Sequence, residues 1–145
     1  MGYKLGRRSL ANLEGVHPDL VAVVRHAINF SEQDFTVIEG VRTRERQLEL
    51  YAQGRTKPGK IVTWTRNSRH FPGPDGLGRA VDIAPYPIDW ASTPENLARF
   101  DAVAKAMFRA AMDLGLRIRW GADWDRDGKP REKGEHDSPH FELAD

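Results

Sequence analysis

The chain has no cysteine. That absence excludes disulfides, thiolate metal knuckles and a cysteine nucleophile together, and leaves His, Asp, Glu and backbone oxygen as metal donors. Long apolar runs are also missing. No stretch approaches the roughly 18 residues needed to span a bilayer, so membrane insertion is not expected. The opening segment carries Lys4, Arg7 and Arg8 with no apolar run behind them, although a secretory signal requires one. Gly6 stands where a myristoylation signal places Ser or Thr. An excess of one charge is lacking as well. Against 22 Lys+Arg stand 21 Asp+Glu, a formal net charge of +1. The two signs alternate along the chain, whereas nucleic-acid binders concentrate Lys and Arg on one face. We therefore expect a soluble protein made in the cytoplasm that binds no nucleic acid and needs a separate factor if it is to act outside.

The 145 residues, 39% hydrophobic and 30% charged, suffice for one domain with a real core. Pro18 to Phe30 reads as a helix, with Leu20, Val21, Val24, Ala27 and Ile28 on one face and Pro18 in the first turn. Phe35 to Glu39 reads as a β-branched strand ended by Gly40. Arg44 to Ala52 follows as a helix with Leu48 and Tyr51 inward. Five of the 13 glycines and three of the nine prolines lie between Gly54 and Arg79, a loop long enough to carry function. Ala80 to Ala84 is a short apolar strand. Pro94 to Leu114 is the longest helix, with Leu97, Phe100, Val103, Ala104, Met107, Phe108, Ala111 and Leu114 at three- and four-residue steps and Gly115 as its stop. Leu116 to Trp120 and His140 to Leu143 are strands on either side of a polar loop. With no internal repeat and no linker, a single α+β domain over residues 1–145 is the economical expectation.

Five histidines are present. His26 lies within the first helix and His17 just before it, positions that suit structural or surface roles; His70, His136 and His140 lie in or beside loops. Asp82 interrupts an apolar strand, where a carboxylate is costly unless it reaches solvent, an arginine or a bound cation. His70, Asp82 and His140 together make a three-ligand set that would leave a fourth zinc position for water, the arrangement of catalytic zinc. Such a site also needs a general base, and Asp137 is the nearest in sequence to His140. Spacing alone matches no helix motif such as HExxH.

Ser68-Arg-His70 followed by Gly78-Arg-Ala-Val-Asp82 resembles the SxHxxGxAxD motif of the zinc metallopeptidase family of D-alanyl-D-alanine carboxypeptidases and L-alanyl-D-glutamate endopeptidases. Asp137-Ser-Pro-His140-Phe-Glu142 is similar to that family's closing segment, and Glu39-Gly-Val-Arg-Thr43 resembles its upstream G-x-R-[ST] element. Gly121-Ala-Asp-Trp124 and the run from Leu13 to Pro18 resemble the phage endolysin branch. The resemblance implies a small Hedgehog/D,D-peptidase-like α+β domain: a mainly antiparallel sheet, helices against one side, and zinc in a cleft. It implies zinc ligands His70, Asp82 and His140, with Asp137 as general acid–base and Arg42 steadying the substrate carbonyl and developing oxyanion. The implied reaction is hydrolysis of the L-alanyl-D-glutamate bond in bacterial peptidoglycan during phage lysis. A D,D- or L,D-carboxypeptidase is the alternative, and a non-catalytic zinc-bound recognition module a distant one. No separate wall-binding domain is expected, and we expect a monomer.

One feature departs from the pattern. The family motif places six residues between histidine and aspartate, whereas this chain places eleven, Phe71 to Val81. The extra stretch is rich in turn formers that let it bulge outward, and it contains Asp75, a rival ligand. Separately, Asp123-Trp-Asp125-Arg-Asp127-Gly128 matches the opening of an EF-hand loop, though Gly134 stands where the closing Glu belongs. Calcium at Asp123, Asp125 and Asp127 is therefore a second metal expectation.

Overall fold

The computed structural model describes residues 2–41, 44–56, 58–59, 75–123, 131 and 137–144, with residues 44–47 described by their backbone alone. In chain order the elements are α1 (Arg7–Asn12), α2 (Pro18–Phe30), β1 (Phe35–Glu39), α3 (Arg44–Ala52), β2 (Ala80–Pro85), α4 (Pro94–Asp113), β3 (Ile118–Gly121) and β4 (Asp137–Leu143). The four strands form one sheet in the order β1-β2-β4-β3, every neighbouring pair antiparallel. This is the α+β architecture expected.

Side chains alternate across a strand, and here the alternation separates two chemistries. One face carries Val37, Val81, Ile83, Ile118, Trp120 and Phe141, all buried. It joins the core with α2 (Leu20, Val23, Val24, Ala27, Ile28) and α4 (Val103, Ala104, Met107, Ala110, Ala111). Each fully buried aliphatic or aromatic side chain there contributes about 1.5–3 kcal/mol relative to exposure. The other face carries Asp82, His140, Glu142 and Arg119, set by the pairings Asp82 with His140 and Arg119 with Glu142.

The helices are capped as their sequences require. His17 precedes Pro18, and its Nδ1 accepts the amide of Asp19. Thr93 accepts the amide of Asn96 at the start of α4, and Gly115, at φ +70°, turns the chain beyond its end. His26 Nε2 meets Asp113 Oδ2 at 2.9 Å, tying α2 to α4 near the surface, so both helix-associated histidines have structural roles.

Three expectations need correction. Helix α1 was not anticipated, because its six residues hold no apolar stripe. Its purpose is polar: Ser9 Oγ accepts the amide of Val37, and Asn12 Nδ2 donates to the Val37 carbonyl, so α1 covers the outer edge of β1. Leu48 is exposed rather than inward, as are Phe108 on α4 and Leu114 just beyond its end. Strand β4 begins at Asp137, three residues before the expected start. Pro139, which argues against regular pairing, falls between Asp137 and Phe141, the positions paired with β3 on either side of the register shift.

Candidate active site

The polar face of the sheet gathers the chemistry. Asp82 on β2 stands directly opposite His140 on β4, and its Oδ1 lies 3.3 Å from His140 Nδ1. From its apolar strand Asp82 thus reaches the His140 imidazole. Asp137, three residues upstream on β4, brings Oδ2 to 4.0 Å from the same nitrogen. The opposite ring nitrogen, Nε2, is 2.9 Å from Glu142 Oε1. His140 and Glu142 are buried, whereas the Asp137 side chain is about half exposed, at 53%.

Electrostatics follow from that enclosure. Burial opposes a charged imidazole, yet the hydrogen bonds to Asp82 and Glu142 and the charges of Asp82 and Asp137 outweigh it, raising the His140 pKa to about 9. Three carboxylates around one imidazole therefore make a site that favours positive charge.

Those donors fit zinc in kind, being imidazole nitrogen and carboxylate oxygen. They fit in spacing too: two ligands each about 2.1 Å from one tetrahedral zinc lie about 3.4 Å apart, close to the 3.3 Å between His140 Nδ1 and Asp82 Oδ1. Arg42 and His70 lie outside the described residues, and among the described residues no group of three or more side chains assembles as a metal cluster. Asp75 is turned elsewhere. Its two oxygens accept from Arg79 at 3.1 and 2.7 Å, chiefly through which its pKa is lowered.

Backbone packing places the Asp137 segment. Gly121 pairs with Asp137 across the β3–β4 shift. The Trp120 indole donates to the Ser138 carbonyl at 2.6 Å, and Arg131 donates from Nε to Ser138 Oγ at 3.2 Å while its Nη1 holds Asp101 at 2.8 Å. At the entrance to β2, the Gly78 carbonyl accepts the His17 amide, and the Gly78 amide donates to the Gly15 carbonyl. The segment before α2 thus braces the strand that carries Asp82. None of these supports was read from sequence. Glu142 was the nearest to legible, since the i, i+2 spacing of a strand puts it on the face of His140.

For the second metal expectation, Asp125 and Asp127 lie outside the described residues. Asp123 is buried, its amide donating to the Trp120 carbonyl at 3.0 Å.

The model of the phage L-alanyl-D-glutamate peptidase family matches residues 1–144. The chain belongs to the phage L-alanyl-D-glutamate peptidase family. It is accordingly an enzyme, a peptidase. Its relatives in this family group include the L-alanyl-D-glutamate peptidase of Escherichia phage T5, 35% identical over 150 residues that cover 99% of this chain and 100% of the phage protein. The peptidoglycan L-alanyl-D-glutamate endopeptidase CwlK of Bacillus subtilis is 30% identical over 112 residues, 76% of this chain and 60% of that protein. Among solved structures, the Serratia marcescens L-Ala D-Glu endopeptidase ChiX superposes with a TM-score of 0.70 at 35% identity, covering 95% of this chain and 87% of ChiX. No helix among the described residues is long and apolar enough to cross a membrane.

Proposed function

We propose that this peptidase cuts the amide bond between L-alanine and D-glutamate in peptidoglycan stem peptides, using zinc held by His70, Asp82 and His140. The observation that carries the assignment is the convergence of Asp82 Oδ1 and Asp137 Oδ2 on one nitrogen of the buried His140, at 3.3 and 4.0 Å. Family membership over residues 1–144 supports the choice of bond. Zinc at this site supplies Lewis-acid activation of water and of the scissile carbonyl.

The chain's own residues do the rest. His140, held between carboxylates, presents Nδ1 toward Asp82. Asp137, half exposed beside that nitrogen, takes a proton from the attacking water and delivers it to the departing amine. Water oxygen joins the alanyl carbonyl carbon, the C–N bond breaks, and the products are an alanyl carboxylate and a D-glutamate amine. Arg42 would steady the oxyanion that develops at the carbonyl. The enzyme would act in host lysis as a monomer, reaching the wall after release by a separate factor.

Digestion of purified sacculi tests the reading. New D-glutamate amines are the expected product, and release of D-alanine alone would show a carboxypeptidase instead. Asp137→Asn should lower the rate by about 10²- to 10⁴-fold, the usual weight of general acid–base catalysis. An unchanged rate would overturn the role given to Asp137.

A second metal is supported by one observation besides the motif. The Arg131 amide donates to the Ala122 carbonyl at 2.6 Å, which brings together the residues that flank the acidic stretch. Calcium would be held by Asp123, Asp125 and Asp127.

A further inference from the structure

Glu142 has no part in the reaction as derived above, yet among the described residues it is one of the few charged side chains that are buried. A buried carboxylate is costly unless it is paired, and here its partner is a proposed zinc ligand. Glu142 Oε1 lies 2.9 Å from His140 Nε2, on the side of the ring opposite Asp82 and Asp137. Arg119 stands directly across from Glu142 on β3, a cross-strand position where opposite charges are favourable. Strand geometry fixes the arrangement, because His140 and Glu142 are two residues apart on one face and Ala80 and Asp82 flank them in register.

We infer that Glu142 is a positioning residue that dictates which nitrogen of His140 meets the metal. A neutral imidazole carries one proton, and the hydrogen bond made by one nitrogen decides which nitrogen is left as a donor to metal. With Glu142 accepting from Nε2–H, the lone pair is left on Nδ1, the nitrogen facing Asp82 Oδ1. The same bond fixes the ring's rotation and raises its basicity toward a cation. Without Glu142, the ring loses both the tautomer preference and the orientation. This inference rests on the proposal that His140 binds zinc.

The experiment compares zinc affinity, measured by competition with a chromophoric chelator, and the His140 ring ¹⁵N resonances in zinc-loaded protein. The variants are Glu142→Ala, Glu142→Gln and His140→Ala. Wild type should show a protonated, slowly exchanging Nε2 and a metal-shifted Nδ1. Glu142→Ala should weaken zinc binding by about 10- to 100-fold, the usual effect of removing such a partner, and lose the protected Nε2–H signal. Glu142→Gln keeps an acceptor oxygen, so it should retain the tautomer and recover most of the affinity; a role limited to packing would not produce this split. Should Glu142→Ala keep both wild-type affinity and the Nε2–H signal, the inference is overturned while the zinc site stands. Unchanged zinc affinity in His140→Ala would instead overturn the ligand assignment beneath it.

Discussion

Gly121 lies against the backbone of Asp137 so closely that a Cβ at position 121 would sit 2.2 Å from the Asp137 carbonyl oxygen and 2.7 Å from its Cβ. The obstruction is backbone, which cannot swing aside as a flexible side chain could. Gly121→Ala should therefore push the Asp137 segment out of place. Displacing a reacting group by about 1 Å can cost about 10²-fold in rate, so a loss of that order in kcat on a soluble stem peptide is expected, with zinc content unchanged. Gly6→Ala is the control, since nothing lies within 4 Å of a Cβ there. Equal kcat values for the two variants would contradict the account of how Asp137 is placed.

The proton on His140 makes stability depend on pH in the metal-free protein. Burial lowers the imidazole pKa, but its carboxylate partners raise it to about 9, above its ordinary value near 6.5. A raised folded-state pKa stabilises fully below the unfolded value, and that stabilisation disappears as pH climbs through the folded one. Urea unfolding of metal-free protein should therefore show stability falling between about pH 6.5 and 9, and less so in His140→Gln. Zinc bound at Nδ1 would displace its proton, so zinc affinity should rise over the same interval. Identical profiles for wild type and His140→Gln would contradict the geometry.

Sequence periodicity carried much of this fold because the apolar stripes are long. Helix α2 and strand β1 fall on the residues expected, and α4 differs by one residue at its end. Asp82, too, stood out as a carboxylate among Ala80, Val81, Ile83 and Ala84. What stayed hidden depends on contacts between distant segments. Ser9 is buried because the Val37 amide needs an acceptor, and nothing local to Arg7–Asn12 announces that need. The Trp120 indole looks like core, and Phe141 does lie parallel to it with ring centroids 6.2 Å apart. Its hydrogen bond to Ser138 appears only when β3 and β4 pair. Glu142 was visible as a letter near His140, but a carboxylate at a strand end reads as solvated until its burial is known.

Calcium should bind at the acidic loop if Asp123, Asp125 and Asp127 act as ligands. Isothermal titration of chelator-treated, zinc-reloaded protein is expected to give saturable calcium binding and an upward shift in melting temperature. Asp125→Ala should remove both without releasing zinc. Absence of heat and of any melting shift in wild type would eliminate the second metal.

Zinc is proposed to sit on the polar face of the sheet. A crystal of the zinc-loaded enzyme, with anomalous differences collected on both sides of the zinc edge, tests it most directly. One strong zinc peak is expected, bonded to His140 Nδ1 and Asp82, with His70 completing the protein ligands and Asp137 beside it. A peak coordinated by His140 Nε2, or a zinc ion lying away from Asp82, would contradict it.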